Sequence, residues 1–250
     1  MTVDLVQGRA GEDPALDLAL APALLARVAA GARAPLVRIY RPWPTVAFGR
    51  RDSFVAGFAC AATAAQRHGF SPAIRAAGGR AAAFHEECLV IEEMIAEADA
   101  ASRIQDRFSA EAERQARALR GLGIDARVGE VPGEYCPGAS SVNARGRTKL
   151  IGGAQRTIRG AWLFSSVAVV GGSARLRAVL EDVYAALALN WNPASVGSIA
   201  DDRPDVTVNE VRDALVAGLA VRYRLAPSQV SADDLAAGQA LLSRHRVATP

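Results

Sequence analysis

The chain has 250 residues, half of them apolar, and 29 basic against 26 acidic side chains leave a net charge of only +3. That length suits one large core, the near-balanced charge argues against a nucleic-acid-binding surface, and no apolar run approaches the ~18–20 residues that span a bilayer. Cys60, Cys88 and Cys136 form no CxxC and no metal pattern; an odd count at wide spacing, with no basic-then-apolar leader, points to a reducing, cytoplasmic setting.

Asp13-Pro14 is a helix-start pair, and the helix it opens should run to near Gly31, with Pro22 inside it as a candidate kink. Residues 36–40 and 45–48 read as strands around the Pro42-Trp43-Pro44 turn, 61–68 as a short helix closed by Gly69, 73–77 as a strand entering Gly78-Gly79, and 88–95 as a further strand. Residues 102–122 carry helical periodicity through Ile104, Phe108, Ala112, Ala116 and Leu119. Strands follow at 125–128, 140–143, 150–158 and 161–170, then a helix at 173–189 and two more at about 208–223 and 233–245. This order predicts an α+β domain with a mostly antiparallel or mixed sheet packed with helices, one domain over 1–250 whose C-terminal part, about 205–246, is helical.

Three segments carry candidate chemistry. Lys149 is the only lysine among 29 basic residues. A compact ammonium differs from a guanidinium, so its survival in so arginine-biased a chain points to a task arginine cannot perform. Thirteen residues upstream, Cys136 lies in Glu134-Tyr135-Cys136-Pro137-Gly138, where Pro and Gly force a turn and set the thiol at a loop apex. Cys60 and Cys88 sit in apolar contexts typical of inert thiols. A nucleophilic thiol needs a base or cation beside it, and His85 and Lys149 are the candidates. In Arg75-Ala76-Ala77-Gly78-Gly79-Arg80 the paired glycines allow close approach to the backbone, and free N–H groups there suit an anion or carbonyl. Gly152-Gly153-Ala154 after Lys149 suit a narrow channel for an elongated ligand.

Taken together these segments resemble the lipoate–protein ligase A/octanoyltransferase family, whose catalytic fold is shared with biotin protein ligases. Arg75-x-x-Gly78-Gly79 resembles its arginine strand and glycine loop, Pro44-Thr45-Val46-Ala47-Phe48-Gly49-Arg50 its early pocket-lining strand, and Gly146-x-x-Lys149-x-x-Gly152-x-Ala154-Gln155-Arg156 its acyl-site lysine motif. The Tyr135-Cys136-Pro137-Gly138 turn resembles the cysteine-dependent amidotransferase branch; Arg80 stands where many relatives have a third glycine. The resemblance covers about residues 30–200. It implies an acyltransferase that moves an octanoyl or lipoyl group to the lysine of a lipoyl-domain protein through a Cys136 thioester. Cys136 and Lys149 would be catalytic, and Arg75, Gly78, Gly79, His85, Gly152, Gly153 and Ala154 would bind substrate. It implies no metal and no bound cofactor, with ATP needed only under the alternative of a lipoate or biotin protein ligase; a non-catalytic lipoyl-binding protein of the same fold is the other alternative. The implied partners are lipoyl-domain proteins such as glycine cleavage H protein or 2-oxoacid dehydrogenase E2, with acyl carrier protein as a further candidate donor, and neither nucleic acid nor membrane.

Overall fold

The structure, a computed structural model, describes residues 1–248. In chain order its elements are β1 (Thr2–Gln7), α1 (Pro14–Ala29), β2 (Leu36–Tyr40), β3 (Thr45–Phe48), α2 (Phe58–Arg67), β4 (Ser71–Ile74), β5 (Ala82–Phe84), β6 (Cys88–Ala96), α3 (Ile104–Gly121), β7 (Ala126–Val128), β8 (Val142–Ala144), β9 (Thr148–Ile158), β10 (Ala161–Val169), α4 (Ser173–Ala186), α5 (Ile199–Asp202), α6 (Val208–Ala220), β11 (Arg224–Ser228) and α7 (Ala232–Leu241). The expected α+β fold with a mixed sheet is what forms. Eight strands make one sheet in the order β11-β1-β2-β6-β10-β9-β8-β7; three make a second, β4-β3-β5.

The long strands β6, β9 and β10 pair antiparallel and form the centre of the large sheet. β6 is buried at every position but its last. It therefore reads as two apolar runs on either side of Glu92 and Glu93 rather than as an alternating strand, because both of its faces are covered. Packed on one face are α3 and α6, through Ala112, Ala116, Leu119, Val211, Leu215 and Leu219. The other face receives α1, through Leu20, Leu24, Leu25 and Val28 against Leu36, Met94 and Leu163. A third apolar cluster joins the small sheet to α2 and α4, through Val46, Phe48, Ala61, Ala65, Leu176, Val179 and Val183. At ~25 cal/mol per Å² of apolar surface these three clusters supply the main driving force for folding.

Several local expectations change. Asp13 caps α1 by accepting from the Ala15 N–H, and the helix runs through Pro22 to Ala29 without breaking. Packing of both helix halves against the sheet outweighs the one backbone bond that Pro22 removes. The strand expected at 73–77 is instead β4, ending at Ile74, so Arg75 begins the glycine loop. Residues 224–228, expected as the connector between two helices, form β11, so the C-terminal part is not wholly helical. β11 and β1, both absent from the sequence reading, pair parallel with each other, and β1 pairs parallel with β2. Pro227 in β11 is tolerated because this strand is the sheet's edge.

Candidate active site

Between the large sheet and the small one lies a cavity of about 790 Å³, its mouth included. Its walls come from α1 (Leu18, Ala21), the small sheet (Ala47, Ala82, Ala83, Phe84) and the large sheet (Val90, Leu163, Val167), with Cys136 and Lys149 also lining it. A second groove, outside it, is lined by Gly78, Gly79, Gln105, Phe108, Pro137, Gly138, Ala154 and Thr157. Cys136, Lys149 and Gly153 line both, so the thiol stands where the apolar cavity meets the outer groove.

The thiol is held by an arrangement drawn from four parts of the chain. Cys136 has φ 43°, a left-handed backbone that a non-glycine residue adopts only under constraint. Its N–H donates to Tyr184 Oη at 2.8 Å, and Tyr184 Oη–H in turn donates to Ala81 O at 2.9 Å, tying the cysteine turn to α4 and to the start of β5. The sulfur accepts from Arg75 Nη2 and from the Arg80 backbone N–H, each at 3.3 Å. Arg75 Nη2 also donates to Arg80 O at 2.7 Å, which folds the glycine loop around the sulfur. Gly79 makes this possible: its φ is +107°, and a Cβ there would lie 2.4 Å from Arg75 Nη2 and 2.8 Å from Cys136 Sγ. Arg80, where a third glycine was expected from the resemblance, contributes its main chain to the sulfur and turns its guanidinium to Asp52 at 3.1 Å.

Lys149 is 3% exposed, and its ammonium points into the turn before the sulfur. It donates to Glu134 Oε1 at 3.0 Å, Tyr135 O at 3.1 Å and Cys136 O at 2.8 Å. Glu134 is the hub of this loop. Its carboxylate also accepts from the N–H of Val131 and Gly138 and from Ser141 Oγ–H at 2.5 Å. A β-bulge between β8 and β9 pairs Asn143 with Lys149 and Val142 with Ile151, leaving Leu150 unpaired. The extra residue re-aims Lys149 toward the loop. Gly152 leaves room for the lysine stem, since a Cβ there would sit 2.9 Å from Lys149 Cε.

Burial of the Cys136 thiol pushes its pKa up, but the Arg75 and Lys149 charges, the Arg80 N–H and the Arg75 hydrogen bond outweigh it and hold the thiol below its ordinary value. Cys88 is the opposite case: fully buried among apolar groups in β6, its thiol is pushed up to about 12. Cys60 is exposed on α2.

The residues singled out by sequence thus separate. Cys136, Lys149, Arg75, Gly152 and Gly153 meet at the inner cavity, and Gly78, Gly79 and Ala154 lie on the outer groove. The glycines of β9 do not open a channel by their missing side chains: a Cβ on Gly153 would meet the Phe164 ring at 2.7 Å, on the side of the α3 core. His85 lies outside both cavities. Its Nδ1 accepts from the Glu87 N–H and its other nitrogen faces Gly172 O at 3.4 Å, while burial lowers its pKa. The structure places this histidine away from the sulfur, and the cation beside the sulfur is Arg75. Tyr184 and Asp52 had no signal in the sequence, because the site residues they hold, Cys136 and Arg80, are more than twenty residues away; Glu134, two residues before the cysteine in a Pro-Gly-rich turn, was open to notice.

Residues 13–220 match the lipoyl protein ligase A/B catalytic domain family, and the chain belongs to it. Among its relatives is an octanoyl-[GcvH]:protein N-octanoyltransferase of Geobacillus kaustophilus, 28% identical over 168 residues, 67% of this chain; the chain spans 59% of that protein's length. A lipoate-protein ligase A solved with ATP has the same fold, with a TM-score of 0.76 at 21% identity over 98% of this chain and 95% of that one. So has a bipartite lipoate protein ligase of Thermoplasma acidophilum, studied with its E2 lipoyl domain: TM-score 0.72, 20% identity, 97% of this chain and 92% of the other.

Proposed function

We propose that this protein is an acyltransferase that moves an octanoyl or lipoyl group to a lysine of a lipoyl-domain protein by way of a thioester on Cys136. The observation that carries the reading is the sulfur itself, lowered in pKa, bonded by Arg75 and the Arg80 N–H, and facing a cavity walled largely by apolar side chains. The octanoyltransferase relative supports the same substrate, and its name points to an H protein as a carrier; the E2 lipoyl domain studied with a fold relative points to a second.

In the first half-reaction the thiolate attacks the acyl carbonyl, the acyl C–N bond of the donor breaks, and the departing lysine amine takes up one proton. In the second, the neutral ε-amine of the acceptor attacks the thioester, its nitrogen gives up one proton as the new C–N bond forms, the C–S bond breaks, and the thiolate is restored; that proton balances the one the donor's nitrogen gained. Each barrier is lower than direct aminolysis of an amide. Arg75 and the Arg80 N–H, placed at the sulfur, also lie where the oxyanion of the tetrahedral intermediate forms, so that one set of donors serves thiolate and oxyanion in turn. Lys149 fixes the cysteine turn through its two carbonyls and adds positive charge. No metal or cofactor enters this scheme. We read residues 1–250 as one catalytic unit, working in the reducing cytoplasm that a free thiolate requires.

Incubation with an octanoylated carrier followed by intact mass tests the reading. Wild type, Cys60→Ala and Cys88→Ala should each gain one octanoyl group, and Cys136→Ala none. Normal transfer by Cys136→Ala, or transfer only when ATP and free acid are supplied, would replace this reading with the ligase one; neither adduct nor ATP dependence would leave a lipoyl-binding protein.

A further inference from the structure

Beside the active site, on the far side of Arg75, runs a third depression of about 1120 Å³, its open side included. It is lined by Arg50, Arg75, Arg156, Arg244 and His245 together with Ser53, Phe54, Ile74 and a few small or apolar residues. No acidic side chain lines it. Arg75 and Ala76 belong to both this groove and the inner cavity, so the two are continuous at the glycine loop.

Other exposed arginines, among them Arg9, Arg41 and Arg147, also lack a carboxylate partner among the described residues, but three facts together mark this face. Most arginines here are neutralised: Arg80 by Asp52, Arg246 by Asp13, Arg175 by Glu86, Arg145 by Asp202. Arg50, Arg156 and Arg244 are exposed and have no carboxylate partner among the described residues. They come from three separate elements (the turn after β3, strand β9 and the turn after α7) yet converge on one groove. The Arg156 and Arg244 charges act together on His245, whose imidazole Nδ1 is bonded to Ile74 O at 2.6 Å and whose pKa is lowered first by burial and then by those two charges. Finally Phe54, 79% exposed, lies among the arginines. An exposed aromatic ringed by uncompensated guanidinium groups has the composition of a protein-docking hot spot.

We propose that this arginine groove is the docking face for the acidic surface that surrounds the target lysine of the carrier protein, holding that surface while the lysine reaches past Arg75 to Cys136. The inference rests on the acyl-transfer reading above and adds to it the side of the molecule from which the carrier approaches and the charge it must bear. An open groove with its charges on three elements suits an extended protein surface, and like-signed arginines set beside the reaction centre steer an oppositely charged partner toward it.

The test separates docking from chemistry. Cys136 is first loaded from octanoyl-N-acetylcysteamine, a small neutral thioester, and the loaded protein is then mixed with a lipoyl-domain protein acidic around its target lysine. In R50E/R156E/R244E, brought to the same Cys136 occupancy as wild type before mixing, kcat/KM for transfer to the carrier should fall at least about tenfold, through KM, and lose its salt dependence. The R50K/R156K/R244K variant, which keeps the charge, should recover most of it and controls for misfolding; Phe54→Ala should raise KM alone. Equal transfer by the Glu variant, or loss in both loading and transfer with no recovery in the Lys variant, overturns the proposal. So does competition by millimolar inorganic phosphate for loading with no effect of the Glu variant on carrier transfer, which would make the groove a small-anion site. If wild type forms no thioester, the acyl-transfer reading fails by itself, and the groove is judged by carrier affinity alone, where equal Kd for wild type and R50E/R156E/R244E refutes it.

Discussion

A single lysine in an arginine-rich chain is informative only once its environment is known. Lys149 is buried against Glu134 and two main-chain carbonyls of the cysteine turn, with Gly152 pressed on its stem. A guanidinium is wider than an ammonium and planar, and it cannot place three donors on this tripod of acceptors. Lys149→Arg should therefore lose transfer activity nearly as much as Lys149→Ala, on the order of 10²-fold, as for one transition-state donor removed. The Ala variant should also raise the thiol pKa, because one of the two charges that lower it is gone. The pH dependence of iodoacetamide labelling at Cys136 reads both effects: the wild-type midpoint should lie below that of a free thiol, ~8.5, and move upward in Lys149→Ala. Full activity in the Arg variant with an unmoved midpoint would show that the lone lysine is a compositional accident. The sequence pointed to the Cys–Lys pair but assigned the lysine to the sulfur; the geometry gives that place to Arg75, because the glycine loop and the cysteine turn meet only after the two sheets have packed.

At the scale of elements, β9 and β6 carry the next two expectations. Gly153 faces Phe164 across the sheet, so adding a methyl overfills the α3 side of the core rather than the acyl cavity. Gly153→Ala should cost about 1–3 kcal/mol of stability, measured by urea denaturation, and lower turnover on acetyl and octanoyl donors alike; a loss confined to octanoyl would return this glycine to the channel. In β6, Glu92 is enclosed with Arg38 and Asp17 beneath α1 and lines the inner cavity. Burial pushes its carboxyl up to about 7, against the pull of Arg38 and with the repulsion of Asp17. Its folded value thus exceeds the unfolded one of ~4.3, so the folded state holds the extra proton. The associated stability is complete below that unfolded value and is lost as pH rises through about 7, a loss on the order of 3 kcal/mol. Glu92→Gln should remove this component: the difference in unfolding free energy between mutant and wild type should shift in the mutant's favour from pH 5 to pH 8. A difference that stays flat with pH would mean Glu92 remains ionised throughout.

At the scale of the whole molecule, the matched family region ends at residue 220, yet the chain beyond it is built into the fold. β11 pairs with β1, and α7 packs along α1. Asp234, fully buried, accepts from Arg27 Nε at 2.8 Å, lies 3.5 Å from Arg33 Nε and caps its own helix through the Ser231 N–H. Removing one member of such a cluster leaves its partners unsatisfied, so Asp234→Ala should destabilise by about 3–5 kcal/mol. Thermal unfolding checks this, with a near-native Tm showing α7 to be an appendage. His245, also from this segment, helps form the arginine groove, so stability and docking share a C-terminal origin.

The elements whose information is local were legible in the sequence: α1 from its Asp-Pro start, α3 from its apolar spacing, the β9–β10 hairpin from Arg159-Gly160, and Cys136 as a thiol at a turn apex. The order of strands and helices carried the α+β architecture, and the lone lysine stood out by composition. Tertiary structure alone decided the rest. β1 and β11 become strands only because each finds a parallel partner remote in sequence, and Pro22 stays helical because the sheet holds both sides of it. Arg75 and the Arg80 N–H reach the sulfur while Tyr184 takes the Cys136 N–H, and no spacing rule encodes that meeting. A helix or hairpin draws its energy from neighbours a few residues away, whereas a lowered thiol pKa and a groove of unpaired arginines arise from charges that only long-range packing brings together.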